Sequence, residues 1–470
     1  MKKIVISSLL LFLFVIPFGC TDMNDNAVPS SLQIKDFVWK GMNLYYLWQA
    51  DVPDLADNRF ANQSQLNTFL EPFATPTDLF NALRVPSPTD RFSVIFSDYT
   101  VLEGILSGNT LNNGMDFGLK YTDASHTSVF GWVRYIIPNS DAATKNIQRG
   151  AIFYAIDGTP LNNDNYKTLL ASNSYTVNLA NYSNVGGIVT LTPNGQSVSL
   201  TKTALAENPI FISSVINQGT HNIGYLMYNG FYASYDNQLN TAFGSFVSQN
   251  VTSLVLDLRY NSGGAISSAT KLASMITGQF SGQLFARQQW NAKAQSYLLS
   301  NNPGSLENKF IAGLNSLNLN KVYILTTKST ASASELVVNC LKPYVTVVQI
   351  GDVTTGKNVG SITLYDSPTF GKTNANPNHK YAMQPIVLKI VDKNDFGDYT
   401  AGITPTTSLP ENLTTLGVLG NVDEPLLNAA INQIIASGKM LPQVPSNIER
   451  DFTDSKSINP LGSEMYLERK

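Results

Sequence analysis

Three short apolar runs, each ending in a loop that carries serine, glycine or lysine, constrain this chain of 470 residues more than any other feature. Val322-Tyr323-Ile324-Leu325 leads into Thr330-Ala331-Ser332-Ala333-Ser334-Glu335, and Val345-Thr346-Val347-Val348-Gln349-Ile350 leads into Thr354-Thr355-Gly356-Lys357. The stretch Glu335 to Leu341 between them has a helical pattern, so the whole reads as buried strand, crossover helix, buried strand. Such strands are parallel and present their carboxyl ends on one edge of the sheet. That edge is where open α/β sheets place their chemistry. A third run, Leu254-Val255-Leu256-Asp257-Leu258, ends in Arg259-Tyr260-Asn261-Ser262-Gly263-Gly264 and brings a third strand end to the same edge.

A serine and a lysine on adjacent strand ends can work as a pair. Serine is a weak nucleophile at neutral pH and needs a group to take its proton. A lysine does so when burial disfavours its ammonium form and lowers its pKa. The chain has three histidines, His126, His221 and His379, and none sits in a strand-end motif beside a candidate nucleophile. A Ser-His-Asp arrangement stays open, because triad members can be distant in sequence. An oxyanion needs fixed backbone donors. The Ala333 amide at the start of the helix is one source, and the Gly263-Gly264 turn is another. Each feature alone has a plainer reading. Ser332-Ala333-Ser334-Glu335 is also a capping box, Lys357 could be a solvated loop lysine, and paired glycines usually make a turn. All three after their own buried strands favour a site.

Leu256 to Gly264, Ser332-Ala333-Ser334-Glu335 and Gly356-Lys357, at this serine-to-lysine spacing, resemble the C-terminal processing peptidases, or tail-specific proteases. Ile223-Gly224-Tyr225-Leu226, Gly402-Ile403-Thr404-Pro405 and Asp423-Glu424-Pro425 agree with the resemblance, which covers roughly Asp90 to Gly438. It implies a serine endopeptidase on a core of the ClpP/crotonase-like type, with Ser332 as nucleophile, Lys357 as general base, and the Gly263, Gly264 and Ala333 amides as oxyanion hole. Many members carry Gln or Glu four residues after the lysine to orient it. Here that position is Ser361, so Ser361 or Asn358 is left to hold the amine. A rival pair, Ser268-Ala269-Thr270-Lys271, fits the Ser-x-x-Lys of penicillin-recognising enzymes. No Lys-Thr-Gly follows it, and the plainer reading is a helix packed behind the glycine turn.

The fold class expected is α/β, mixed α+β and multidomain. Residues 1–19 read as a signal peptide: Lys2-Lys3, then an apolar run from Ile4 to Ile16 too short for a membrane span of about 20 residues. Gly19-Cys20 resembles a bacterial lipoprotein processing site, with Cys20 the acylated residue; ordinary secretion with Cys20 incidental is the alternative. Residues 20–29, polar and acidic, read as a tether. The implied location is the cell envelope, lipid-anchored to the outer membrane, on its periplasmic or surface face. Residues 30–109 read as a helical region, beginning with an amphipathic helix between Ser31 and Trp48, with no chemistry of its own. Residues 110–205 alternate as short strands around one short helix at Asp164 to Leu170 and resemble a PDZ domain. Phe117-Gly118-Leu119 would then be its carboxylate-binding loop, capturing a peptide C-terminus. Residues 206–440 would be the catalytic core. Residues 441–470, with Pro442, Pro445 and Pro460, read as a tail, ordered only where it packs back.

The remaining composition mostly excludes. A net charge of −3 with interspersed signs gives no basic face for nucleic acid. Two cysteines and three scattered histidines form no zinc pattern, so neither metal nor other cofactor is expected. The expected partners are a protein or peptide substrate and, through the lipid alone, a membrane. An alternative keeps the fold without turnover, as a lipoprotein that binds a peptide, glycan or apolar ligand.

Overall fold

A computed structural model describes residues 28–435, 450–458 and 460–468. The leader 1–19, Cys20 and most of the tether lie outside the described residues. Among the described residues no helix is long and apolar enough to cross a membrane.

The three apolar runs are neighbouring parallel strands. The central sheet has the order Ile210–Gln218, His221–Tyr228, Ser253–Asp257, Lys321–Thr326, Thr346–Gly351 and Thr407–Ser408. The first pair is antiparallel and every later pair parallel. A parallel sheet is covered on both faces, which is why its strands read as unbroken apolar runs. Leu254, Leu256, Val322 and Ile324 face the layer that holds helices Ile266–Thr277 and Ala333–Leu341. Val255, Tyr323, Leu325 and Ile350 face helix Pro425–Ile435 through Leu426, Ala430 and Ile431.

The amino-terminal helices pack on the first of these layers. Helix Gln33–Tyr45 turns Phe37, Val38 and Met42 inward. Helix Pro76–Ala82 opens with a full capping box between Thr75 and Asp78. The region also contains a strand, Val94–Phe96, which pairs with Ala382–Gln384.

Strands Met115–Tyr121, Val129–Ile136, Ile152–Ile156, Ser174–Val185 and Ile188–Thr201 form a separate antiparallel sheet over its own core of Phe117, Val133, Phe153 and Val177. The short helix is Tyr166–Ala171. Two differences from the sequence reading stand out. The late strands form one long hairpin that turns at Gly186 and Gly187. The alternation from Met115 to Tyr121 makes a strand as it predicts, and Phe117-Gly118-Leu119, expected as a carboxylate-binding loop, lies inside it, paired with Val129–Ile136.

The carboxyl-terminal residues pack back at two places. Arg450–Asp454 adds to the outer edge of Met115–Tyr121, antiparallel, with Asp454 opposite Gly118 and Thr453 opposite Leu119. Met465–Tyr466 enters a second sheet, in the order Gly264–Ala265, Met465–Tyr466, Val359–Ser361, Ile386–Val391, Leu284–Trp290 and Glu307–Lys309. It lies parallel to the strands on either side.

Candidate active site

Ser332 stands where strand Lys321–Thr326 hands over to helix Ala333–Leu341. Its backbone is at φ 65°, ψ −116°, on the side of backbone space that only glycine adopts freely. Holding a serine there costs on the order of 1–3 kcal/mol and needs firm surroundings. They are present. The Ser332 N–H donates to Glu335 Oε2 at 2.7 Å, the Ala331 N–H to the Asn261 carbonyl at 3.1 Å, and Ser334 Oγ to the same carbonyl at 3.0 Å. The expected capping box is thus half made: Glu335 reaches back, while the Ser332 Oγ, fully buried, has no hydrogen-bond partner. A hydroxyl released from capping is free for another task.

Glu335 is the residue whose importance the sequence reading missed. Its Oε2 also accepts the Lys357 N–H at 2.8 Å, and its Oε1 accepts the Gly356 N–H at 2.7 Å and the Thr354 hydroxyl. Burial pushes this carboxyl up, and the donors around it pull it down. One buried carboxylate therefore ties the serine loop to the lysine loop. The Gly402-Ile403-Thr404-Pro405 segment supports it, since the Ile403 N–H donates to Thr354 Oγ1 at 2.7 Å.

The glycine turn meets the serine directly. A Cβ on Gly263, at φ 118°, would stand 2.7 Å from Ser332 Cβ and 3.0 Å from its Oγ. The expectation that the Gly263 amide serves an oxyanion is corrected: that N–H donates to Asn261 Oδ1 at 2.9 Å. Gly264 N–H instead points to a carbonyl, that of Glu464, at 2.5 Å. The turn is anchored below by Arg259, fully buried between Asp257 at 2.8 Å and Glu424 at 2.7 Å, with Glu411 at 3.2 Å. This is the role of the Asp423-Glu424-Pro425 motif. Phe231 packs beneath the turn, its N–H donating to the Gly263 carbonyl at 2.9 Å.

Lys357 is fully buried, and burial holds its pKa below the ordinary lysine value, with Glu464 pulling the other way. Its Nζ donates to the Ser463 carbonyl at 2.6 Å, lies 3.4 Å from Glu464 Oε1, and sits 4.3 Å from the centre of the Phe92 ring. Neither residue expected to orient the amine does so. Ser361 Oγ bonds the Glu464 carboxylate and accepts from Gln384 Nε2 at 2.9 Å, and Asn358 donates to the Gly397 carbonyl. The amino-terminal region, expected to carry no chemistry, supplies Phe92 over the amine and Arg91, which donates to the Gly356 carbonyl at 2.9 Å.

The other candidates lie apart. Lys271 pairs with Asp236 at 2.6 Å while Ser268 is buried in helix Ile266–Thr277, so these two do not form a dyad. His379 pairs with Asp366, and His126 stacks on Tyr121. Cys340 is a free thiol buried in the core, and Cys20 is outside the described residues. A cavity of about 730 Å³ runs between the 115–201 module and the core, lined among others by Gly118, Lys120, Arg134, Ser262, Lys328 and Glu464.

A buried serine and lysine joined through one carboxylate, beside a glycine turn on a parallel sheet, define a class of site. Comparison with known proteins gives it a family. Residues 222–371 match peptidase family S41, and residues 33–94 match the peptidase S41 N-terminal domain. A probable CtpA-like serine protease of Staphylococcus epidermidis is 26% identical over 159 residues, 34% of this chain and 30% of that protein. One from Staphylococcus saprophyticus is 27% identical over 175 residues, 37% of this chain and 33% of that protein. The matches thus span about a third of those relatives' length. A crystal structure of a Bacteroides fragilis protein designated an S41 protease superposes with a TM-score of 0.64 at 26% identity, covering 86% of this chain and 98% of that one. The photosystem II D1 C-terminal processing protease shares the fold, with a TM-score of 0.51 at 18% identity over 85% of this chain and 98% of that one. The chain thus carries peptidase S41 family domains.

Proposed function

We propose that this protein is a serine endopeptidase that cleaves extended polypeptide segments through an acyl-enzyme intermediate. The observation that carries this reading is Ser332: a buried hydroxyl without a partner, on a strained backbone, braced through Glu335 to the loop of a buried lysine. Ser332 Oγ attacks the scissile carbonyl carbon while neutral Lys357 takes its proton. The N–H groups of Gly264 and Ala333 receive the developing oxyanion. Lys357 then passes the proton to the leaving amine. Water attacks the ester by the same route in reverse, and the segment upstream of the cut leaves as a free carboxylic acid.

Residues 110–205 act in this reading as a PDZ-like peptide binder, and the outer edge of strand Met115–Tyr121, paired here with Arg450–Asp454, takes an added peptide strand in its place. The leader and Cys20 put the enzyme in the bacterial envelope as a lipoprotein, where its substrates would be envelope proteins with unstructured tails. Ser332→Ala and Lys357→Ala should each abolish cleavage of an unstructured reporter polypeptide while the melting temperature holds. A fluorophosphonate probe should label Ser332. Undiminished cleavage by both variants would sink the assignment.

A second reading, a binding protein without turnover, draws on one observation: the Lys357 amine is engaged by Ser463 and Glu464. Reporter peptide that is bound but never cut, with no acyl adduct by mass spectrometry, would favour it.

A further inference from the structure

The groups that would handle a substrate are already in use by the chain itself. The outer edge of strand Met115–Tyr121 is paired with Arg450–Asp454. The space between Gly264–Ala265 and Val359–Ser361 is filled by Met465–Tyr466, parallel to both. Between these points the Glu464 carbonyl accepts the Gly264 N–H at 2.5 Å, the place where a scissile carbonyl would put its oxygen. The tail thus follows the path expected of a polypeptide held by the module and presented to Ser332.

Charge fits this path as well as backbone does. Asp451 lies 2.6 Å from Lys120 Nζ and 3.2 Å from Lys328 Nζ. Asp454 lies 3.2 Å from the buried Arg134 and accepts the Ser329 hydroxyl at 2.6 Å. Glu464 faces Lys357 and accepts from Ser361. Three acids of the tail thus meet four cations, three of them buried in the body of the protein. The contact with Lys357 also explains why the carbonyl at Gly264 is not attacked. An amine that donates to the Ser463 carbonyl and pairs with Glu464 is engaged away from the Ser332 hydroxyl.

Resting on the peptidase reading, we propose that the carboxyl-terminal segment from Arg450 to Glu468 is a built-in pseudosubstrate. It fills the substrate path in cis and occupies the catalytic lysine through Glu464, and an extended acidic polypeptide must displace it.

The test uses the full chain. Glu464→Gln keeps the shape of the tail but removes the ion pair. Its kcat/KM on an unstructured reporter should rise about tenfold, the gain in free amine that one pKa unit brings. The triple variant Asp451→Asn, Asp454→Asn, Glu464→Gln should gain more, mainly through a lower KM. A synthetic peptide of residues 450–468 should then inhibit it competitively, and the same peptide with its three acids neutralised should not. Thermal melts establish that both variants are folded. Folded variants with unchanged or lower kcat/KM, or a peptide that fails to inhibit, would overturn the proposal. So would rapid loss of residues 465–470 from the purified wild-type chain, because the tail would then be a substrate. A binding readout separates this from the peptidase reading. The fluorescent 450–468 peptide should bind the triple variant carrying Ser332→Ala more tightly than the wild-type chain carrying Ser332→Ala. That result, with no cleavage by any variant, would reject the peptidase and keep the occupied path.

Discussion

Glu335 carries the backbone of Lys357: its Oε2 accepts the Lys357 N–H at 2.8 Å while accepting the Ser332 N–H at 2.7 Å. The two candidate catalytic residues therefore share a single anchor, and neither loop can shift without straining the other. Replacing Glu335 with Ala leaves several buried donors unpaired, each costing about 1–3 kcal/mol. Reporter cleavage should fall on the order of 10²-fold or more as positioning is lost. The melting temperature should fall with it. Glu335→Gln, which sets an amide NH₂ among N–H donors, should recover stability only in part.

The pH profile should report Lys357. Burial disfavours its ammonium form, so its pKa lies below the ordinary lysine value, and Glu464 raises it from there. The reactive form is the neutral amine, so kcat/KM should rise with pH and level off above the folded pKa, below the usual ~10.4. In Glu464→Gln the nearby negative charge is gone, and the rising limb should move to lower pH. Lys357→Arg cannot lose its proton in this range and should be inactive at every pH tested.

Gly263 should tolerate no side chain. A Cβ there would stand 2.7 Å from Ser332 Cβ, on a residue at φ 118°. Gly263→Ala should lower cleavage on the order of 10²-fold, the scale of a nucleophile pushed out of position. Fluorophosphonate labelling should slow in step, with little change in circular dichroism.

Arg259 should matter for folding before it matters for rate. It is fully buried among Asp257, Glu424 and Glu411. Arg259→Ala leaves buried carboxylates uncompensated, so denaturant unfolding should show a loss of about 3–5 kcal/mol. Glu411 gives the same network a pH signature. Burial raises its carboxyl, but Arg149 and Arg259 overcome this and hold it at about 2. Because that folded value is depressed, the stability it contributes is complete above its unfolded pKa of about 4.3 and is lost as pH falls toward 2. Glu411→Gln should flatten acid unfolding across that window.

The placing of Ser332 and Lys357 after neighbouring parallel strands was legible because it depends on local grammar: two apolar strands, one helix between them, and a fixed direction of crossover. Gly263 was legible as a glycine that must be there, but not in its role, since its N–H is taken by Asn261 two residues earlier. Glu335 could be read only as a cap, because its second duty depends on a loop that the fold brings to it. Phe92 and Glu464 carried no signal at all. Each reaches Lys357 from a distant part of the chain, and a lone aromatic or acid in polar sequence has no pattern that announces a tertiary partner. The alternation from Met115 to Tyr121 was legible as a strand, and the loop role laid on Phe117-Gly118-Leu119 within it gives way to that strand.

The place of Met465–Tyr466 between two parallel neighbours sets a size limit. Adjacent strands lie about 4.8 Å apart, so Gly264–Ala265 and Val359–Ser361 face each other across roughly 9.6 Å. One extended chain fits that slot, whereas a helix, at about 10–12 Å across, does not. On the proposed peptidase reading, a slot one strand wide would act as a gauge of foldedness, passing polypeptide that has lost its structure and turning away polypeptide that has kept it.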